Sequence, residues 1–263
     1  MIKILVNGAS GRMGRAMSAG ILGESDMQIV AAVDIRQVDG DVGVLAGQKP
    51  IGVKVENDLV AAIRRSHPDV MLDFTNPQAV LRNIRVAIGE GLPCVVGTTG
   101  LSEHDLGELA QLSQINHAPI FIAANFAITA VLMMRFAVEA ARYIPQYEII
   151  ERHHENKMDA PSGTALRTME MIGSVREVLV QGAANEMEMI PGSRGGDYQG
   201  ARVHSMRLPG YVASQEVVFG AQGQTLTIRQ DSINHSCFFP GVALALRKID
   251  QLSGVVVGLD KLL

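Results

Sequence analysis

The sequence predicts an α/β protein: a parallel sheet with helices on both faces, followed by a smaller α+β domain whose sheet is antiparallel or mixed. Three observations predict it. Up to about residue 124, short Ile- and Val-rich runs alternate with amphipathic segments, the pattern of repeated strand–helix units. Beyond it the texture changes to a long apolar segment, a polar stretch dense in His, Lys and Asp, and then runs of period two, the spacing of half-buried strands. The chain has 263 residues, 47% of them hydrophobic and 19% charged, enough for one large core or two modest ones and incompatible with global disorder.

The first strand is predicted at residues 2–6, and further strands at 27–34, 70–73, 93–96 and 120–123. Each is a four- to eight-residue run bounded by glycine or polar residues. Helices are predicted between them at 13–23, 58–66, 77–89 and 102–116. A helix over 130–141 leads to a strand at 147–151, and period-two strands follow at 203–208, 216–219 and 225–229. Residues 191–200 hold four glycines and read as a mobile loop. The last segment, 241–252, has a helical pattern that suits packing back on the first domain, so the domains are expected at 1–124 with 236–263, and at 125–235.

Lys and Arg total 23 against 27 Asp and Glu, a net charge of −4, so no general excess draws in nucleic acid or anionic lipid. Cys94 and Cys237 are the only thiols. They are too few for a disulfide framework or a four-cysteine zinc site, fit a reducing compartment and read as buried small apolar groups. The apolar stretches 127–136 and 254–259 fall short of the roughly 18 residues of a spanning helix. The chain runs directly into its first strand without a secretory pattern, and a cytoplasmic location is the expectation.

The first chemical signal is a strand, then Gly8-Ala9-Ser10-Gly11-Arg12-Met13-Gly14, then a helix. Glycines there let the backbone turn tightly and approach a pyrophosphate at the helix N-terminus. Their three-and-three spacing departs by one residue from the commonest dinucleotide fingerprint, so an ordinary glycine-rich turn competes with this reading. Asp34, twenty residues beyond Gly14 at the end of the second strand, favours dinucleotide binding, because a carboxylate there suits a ribose diol. Arg12 and Arg36 either favour a 2′-phosphate or are solvated surface charges. Gly97-Thr98-Thr99-Gly100 and Ala123-Ala124-Asn125-Phe126 also follow strands, where α/β sheets bind ligands, and either line the nicotinamide half or are mere turns.

The densest stretch is His153-His154-Glu155-Asn156-Lys157-Met158-Asp159-Ala160-Pro161-Ser162-Gly163-Thr164-Ala165, from a strand end to a helix start. Asp159 and Ser162 are cap-type residues, and Ser162, Gly163 and Thr164 are placed to offer unpaired N–H groups. With Lys157 they suit a small, multiply anionic ligand. Adjacent histidines point to opposite sides of a strand and have no third ligand at a recognisable spacing, which weighs against metal. A histidine pair without chemistry is the plainer alternative. No Gly-x-Ser-x-Gly elbow and no phosphate loop with Lys and Ser or Thr is present, so serine hydrolases and P-loop enzymes drop out.

Together the sequence resembles the 4-hydroxy-tetrahydrodipicolinate (dihydrodipicolinate) reductases of bacterial and plant lysine biosynthesis. The resemblance spans nearly the whole chain. It rests on Gly8 to Gly14, Gly97-Thr98-Thr99-Gly100, Ala124-Asn125-Phe126, the run from His153, Arg194-Gly195-Gly196 and Val203-His204-Ser205-Met206-Arg207. It implies a Rossmann-like cofactor domain completed by the C-terminal helix, with NADH and/or NADPH as cofactor, and a middle domain that binds a small dicarboxylate imine and builds a homotetramer. It implies hydride addition to C4 of a cyclic conjugated imine and protonation of the neighbouring carbon.

Carried over by residue, the resemblance makes His153 and Lys157 catalytic and His154, Ser162, Gly163 and Thr164 substrate-binding. It makes Gly8, Ala9, Ser10, Gly11, Arg12, Met13, Asp34, Gly97, Thr98, Thr99, Ala123, Ala124, Asn125 and Phe126 cofactor contacts, with no metal. Ala127 stands where many members have serine, and Ser214, Gln230 and His235 where members often have His, His and Arg. The competing classes are a non-catalytic dinucleotide-binding regulator and a reductase of a different imino acid.

Overall fold

In the computed structural model, which describes residues 1–263, the chain divides into two units, Met1–Ile128 with His235–Leu263, and Thr129–Asn234. The first divide falls later than the pattern change near residue 125. The cause is local: the buried Phe126 ring packs on Phe74 and Phe121, with centroids 5.9 and 6.0 Å apart.

The first unit runs β1 (Ile2–Asn7), α1 (Arg12–Ile21), β2 (Met27–Val33), α2 (Val42–Leu45), β3 (Val55–Glu56), α3 (Leu59–Ser66), β4 (Val70–Asp73), α4 (Val80–Gly89), β5 (Cys94–Val96), α5 (Glu103–Asn116) and β6 (Ile120–Ile122). Strands β4, β5 and β6 are buried throughout, which is why they read as unbroken apolar runs rather than alternations. Helix starts follow from local chemistry. The Asp58 side chain accepts from Ala61 N–H at 3.0 Å ahead of α3, and Ser102 and Asp105 form a reciprocal capping box ahead of α5. The Asn76 side chain accepts from Gln78 and Ala79 N–H, forming a turn that delays α4 to Val80.

The second unit begins within α6 (Ile128–Ala141) and continues through β7 (Tyr147–His153), α7 (Gly163–Gly173), β8 (Gly196–Tyr198), β9 (Ala201–Arg207), β10 (Ala213–Ala221) and β11 (Gln224–Ser232). Its sheet has the order β11-β10-β7-β9-β8 and is mixed: β7 and β9 are parallel and the other pairs antiparallel. Tyr147, Ile149, Ala165, Met169, Val217 and Phe219 form its core. The glycine-rich segment 191–200 is not a bare loop, because it contains β8, and Arg194 pairs with Glu148 at 2.7 Å and Glu186 at 2.6 Å.

The chain then returns to the first unit with α8 (Phe239–Lys248) and β12 (Val255–Val257). The final helix stops short of residue 252, where a 3-10 turn over Ile249–Gln251 replaces its end. The seven strands lie in the order β12-β6-β5-β4-β1-β2-β3, all parallel. Leu5, Met71, Ile84, Ile88, Leu109 and Ile120 are fully buried in the core on one side.

Sequence patterning missed α2, β3 and β12 because elements of two to four residues carry no measurable period. Segment β12 is a strand by virtue of its neighbour, pairing Val255, Val256 and Val257 with Ile120, Phe121 and Ile122. Cys94 is buried as expected, and burial together with the Asp73 charge pushes its thiol up. Cys237 is only half-buried, since it lies in a 3-10 turn, His235–Phe238, none of whose residues is buried. No helix is long and apolar enough to cross a membrane.

Candidate active site

In the first unit the motif loops follow the C-terminal ends of β1, β2, β5 and β6, with β1 and β4 adjacent where the strand order reverses. Open α/β sheets form their ligand crevice at this point. Gly8 has φ +82°, and a Cβ there would lie 2.5 Å from the Phe74 carbonyl oxygen. Gly11 is the N-cap of α1 and supplies no side-chain cap, so the first-turn N–H groups and the positive helix end remain for an anion. Asp34 laces the loop to the end of β2: its carboxylate accepts from Ser10 N–H and Arg36 N–H, each at 2.9 Å. The Ser10 hydroxyl donates to the Arg36 carbonyl at 2.8 Å. Arg12 and Arg36 are exposed, and Met13 is half-buried. This uncapped, glycine-built turn fits a dinucleotide pyrophosphate.

Three of the other predicted contacts, Thr98, Ala123 and Phe126, are buried. The Thr98 hydroxyl donates to Asp73 at 2.7 Å, whereas Thr99 is exposed. A Cβ on Gly97 would strike the Phe74 ring. The Asn125 side-chain oxygen accepts from Ala127 N–H at 2.8 Å, and Phe126 is buried, as is Ala123, while Ala124 is exposed. Phe126 therefore offers a cofactor its backbone rather than its ring. Sequence reasoning missed Asp73, a buried carboxylate that also accepts from Asn7 and Asn83 amides at 2.9 and 3.0 Å and from Thr75. Its only signal was an acid closing an apolar strand.

In the second unit the alternation of β7 turns Tyr147, Ile149 and Glu151 inward, so a carboxylate occupies a core-facing position with no exposed surface. Buried charges require partners. Glu151 receives Nδ1 of His153 at 2.5 Å, both terminal nitrogens of Arg207 at 2.9 and 2.8 Å, and Ser162 N–H at 3.2 Å. His153 is the last residue of β7 and His154 lies just beyond it, half-buried. The Lys157 ammonium is mostly shielded and donates to Asp159 at 2.6 Å.

Ser162 is the N-cap of α7, its hydroxyl accepting from Ala165 N–H at 3.2 Å. Two expectations need correction here. Asp159 holds Lys157 instead of capping the helix, and Ser162 N–H is already committed to Glu151. The open part of the turn is at Gly163, where a Cβ would meet nothing within 4 Å, with Thr164 half-buried beside it. No group of three or more His, Cys, Asp or Glu side chains gathers to hold a metal.

Burial opposes ionisation of Glu151, but hydrogen bonds from His153, Arg207 and Ser205 outweigh it and lower its pKa from 4.5 to about 2. A carboxylate whose folded pKa is depressed stabilises fully above its unfolded pKa, and that stability is lost as pH falls from about 4.5 toward 2. The shift corresponds to roughly 3 kcal/mol. Urea unfolding at pH 6 and at pH 3 is expected to show wild type losing more stability than Glu151→Gln. Parallel losses in the two proteins would contradict this assignment.

The dihydrodipicolinate reductase N-terminus pattern matches residues 2–126, and the C-terminus pattern of the same enzymes matches residues 129–263. The chain belongs to the dihydrodipicolinate reductase family. Among curated relatives, the 4-hydroxy-tetrahydrodipicolinate reductase of Desulfitobacterium hafniense is 51% identical over 263 residues, covering 100% of this chain and 98% of that protein. The enzyme of the same name from Moorella thermoacetica is 50% identical with the same coverage. Among solved structures, a dipicolinate-bound dihydrodipicolinate reductase from a Paenisporosarcina species superposes with a TM-score of 0.90 at 38% identity, covering 100% of both chains. The family is one of NAD(P)H-dependent oxidoreductases, and the glycine-built turn of the seven-stranded sheet is the nucleotide-binding element expected of a member.

The family departures named from the sequence are accommodated locally. Ser214, buried, donates to Asp231 at 2.7 Å, and the buried Gln230 amide donates to Ser232 at 2.8 Å. Both positions are satisfied without a histidine.

Proposed function

We propose that the chain catalyses, in the cytoplasm, the NAD(P)H-dependent reduction of 4-hydroxy-tetrahydrodipicolinate, through its dehydrated cyclic imine, to tetrahydrodipicolinate for lysine and diaminopimelate biosynthesis. One observation carries the reading: a histidine, a lysine and an uncovered helix start surround one end of β7, within reach of the same buried carboxylate network. That combination suits a substrate with two carboxylates and a carbon that must be protonated.

The nicotinamide cofactor, when bound, supplies the hydride that adds to C4 of the imine. Gly8, Ala9, Ser10, Gly11, Arg12 and Met13 hold its pyrophosphate, Asp34 faces its adenosine ribose, and Gly97 to Thr99 with Ala123 to Phe126 line its nicotinamide half. Gly163 and Thr164 hold a substrate carboxylate at the α7 N-terminus, where backbone donors and the helix dipole favour negative charge. Ser162 shapes that turn, and His154 adds a further polar contact. The Lys157 ammonium holds substrate charge, and His153 supplies the proton.

The direct test follows loss of reduced-nicotinamide absorbance with freshly generated substrate, NADH and NADPH being supplied separately. Substrate-dependent oxidation that pyridine-2,6-dicarboxylate inhibits is the expected result. No oxidation by a protein that demonstrably binds the dinucleotide would overturn the reading. Both cofactors are expected to serve, since Asp34 suits a free ribose and Arg36 a 2′-phosphate. Arg36→Ala should lower kcat/KM with NADPH about tenfold while leaving NADH nearly unchanged, the effect of one charge-assisted contact. Equal losses with both cofactors would remove Arg36 from cofactor choice.

The proposal includes a homotetramer built on the five-stranded sheet. In the single chain the nine-residue edge strand β11 has one long side unpaired, with Leu226 41% exposed, an edge that proteins commonly cover. Light scattering that returned the 28.2 kDa chain mass would rule the tetramer out.

A further inference from the structure

We infer that Glu151 is the positioning residue of the proton donor: it makes Nδ1 the proton-bearing nitrogen of His153, leaving Nε2 to meet the substrate, while Arg207 holds the carboxylate in place. The inference rests on the proposed role of His153 and concerns what makes that histidine work.

Glu151 has no exposed surface, so its orientation is set by the protein rather than by water. Both oxygens are engaged, one by His153 Nδ1 and one arm of Arg207, the other by the second arm of Arg207 and by Ser162 N–H. The two-armed Arg207 contact fixes the carboxylate plane, as a single contact cannot. With its pKa near 2, the carboxyl carries no proton at neutral pH. An ionised carboxylate only accepts hydrogen bonds. Nδ1 must therefore donate, and the proton of a neutral His153 cannot sit on Nε2. Nε2 is then the nitrogen that takes up a proton from solvent and hands it on, an arrangement in which a buried acid orients an imidazole without itself changing charge.

Arg207 has a second function in the same network. One of its nitrogens also donates to the Asp159 carbonyl at 2.7 Å, and the Asp159 side chain receives Lys157. The Glu151–Arg207 pair thus ties together the strand that carries His153, the loop that carries Lys157, and, through Ser162, the helix start proposed to hold a carboxylate. The register of β7 against β9 creates the pair, because His153 lies opposite Arg207 and Glu151 opposite Ser205. On the other side β10 presents only Ala213 at the level of His153. The charged groups in this network are therefore Glu151, Arg207, Lys157 and Asp159.

Replacing the carboxylate by an amide removes the negative charge that favours the imidazolium. Glu151→Gln should lower kcat about 10- to 100-fold at alkaline pH, with a smaller loss at acid pH. The KM for NADH should stay within about twofold, and Glu151→Asp should recover part of the rate. A pH-independent loss would mean that Glu151 serves only the fold, and an unchanged kcat would remove it from the reaction.

A second measurement needs no folded variant at this position. In wild type labelled with 15N-histidine, the His153 resonances, assigned by their absence in His153→Ala, should report a neutral ring protonated on Nδ1. A neutral form protonated on Nε2 would overturn the inference. If His153→Ala keeps full activity, the proton-donor reading fails instead, whatever the tautomer. If His153→Ala is inactive while Glu151→Gln matches wild type, the donor stands and the role of Glu151 falls.

Discussion

His153→Ala is expected to lower kcat by about 10²- to 10⁴-fold, the range for losing a positioned general acid. The fold should survive. Removing the imidazole leaves Glu151 with both arms of Arg207, the Ser162 amide and the Ser205 side chain, so the buried carboxylate stays paired. Lys157→Ala should cost a comparable factor by a different route. Its ammonium is held by Asp159 at 2.6 Å on a strap that Arg207 fixes, so truncation removes a positioned positive charge from an anionic ligand. The two variants should separate in steady-state kinetics: His153→Ala falls chiefly in kcat, whereas Lys157→Ala also raises the KM for the dicarboxylate. Near-normal kcat in both, with native circular dichroism and unfolding midpoints, would refute their assigned roles.

The second large effect is expected at Gly14, and it is structural. A Cβ there would lie 2.1 Å from the Gly8 carbonyl oxygen, 2.8 Å from the Gly8 carbonyl carbon and 2.9 Å from the Ala9 Cα. All three neighbours are backbone atoms of the proposed phosphate-binding turn, and none can swing aside. Gly14→Ala should push α1 away from the end of β1, costing about 1–3 kcal/mol or more as overpacking does. It should also abolish measurable dinucleotide binding, because the N–H groups of the turn leave their common focus. Gly89→Ala is the control. It is the last residue of α4, whereas Gly14 lies in the first turn of α1, and its added methyl meets nothing within 4 Å, so stability should hold or rise slightly. Calorimetric titration with NADH decides the matter: unaltered binding by a folded Gly14→Ala would remove this turn from the cofactor site.

Much of the molecule was legible because its signals are contiguous. Helix α5 declares itself through Ser102 and Asp105, and β4 and β5 through short unbroken apolar runs. The glycine turn, Asp34 and the run from His153 to Ala165 carry their chemistry in neighbouring residues, which let the fold class, the cofactor type and the family emerge together. Elements that owe their conformation to a distant partner stayed hidden. Three valines at 255–257 are a strand only because β6 lies beside them.

The linear chain thus determined where the turns, helix starts and apolar strands lie, since turn chemistry, helix starts and apolar period are local properties of the backbone. The tertiary structure decided which polar groups remain available. Thr98 spends its hydroxyl on Asp73, Ser162 its amide on Glu151, and Asp159 its carboxylate on Lys157. Glu151 and Arg207 are 56 residues apart and become partners only through the register of β7 and β9. The reason is physical: a buried polar group must be paired, and its partner is whatever the packed strands bring opposite it.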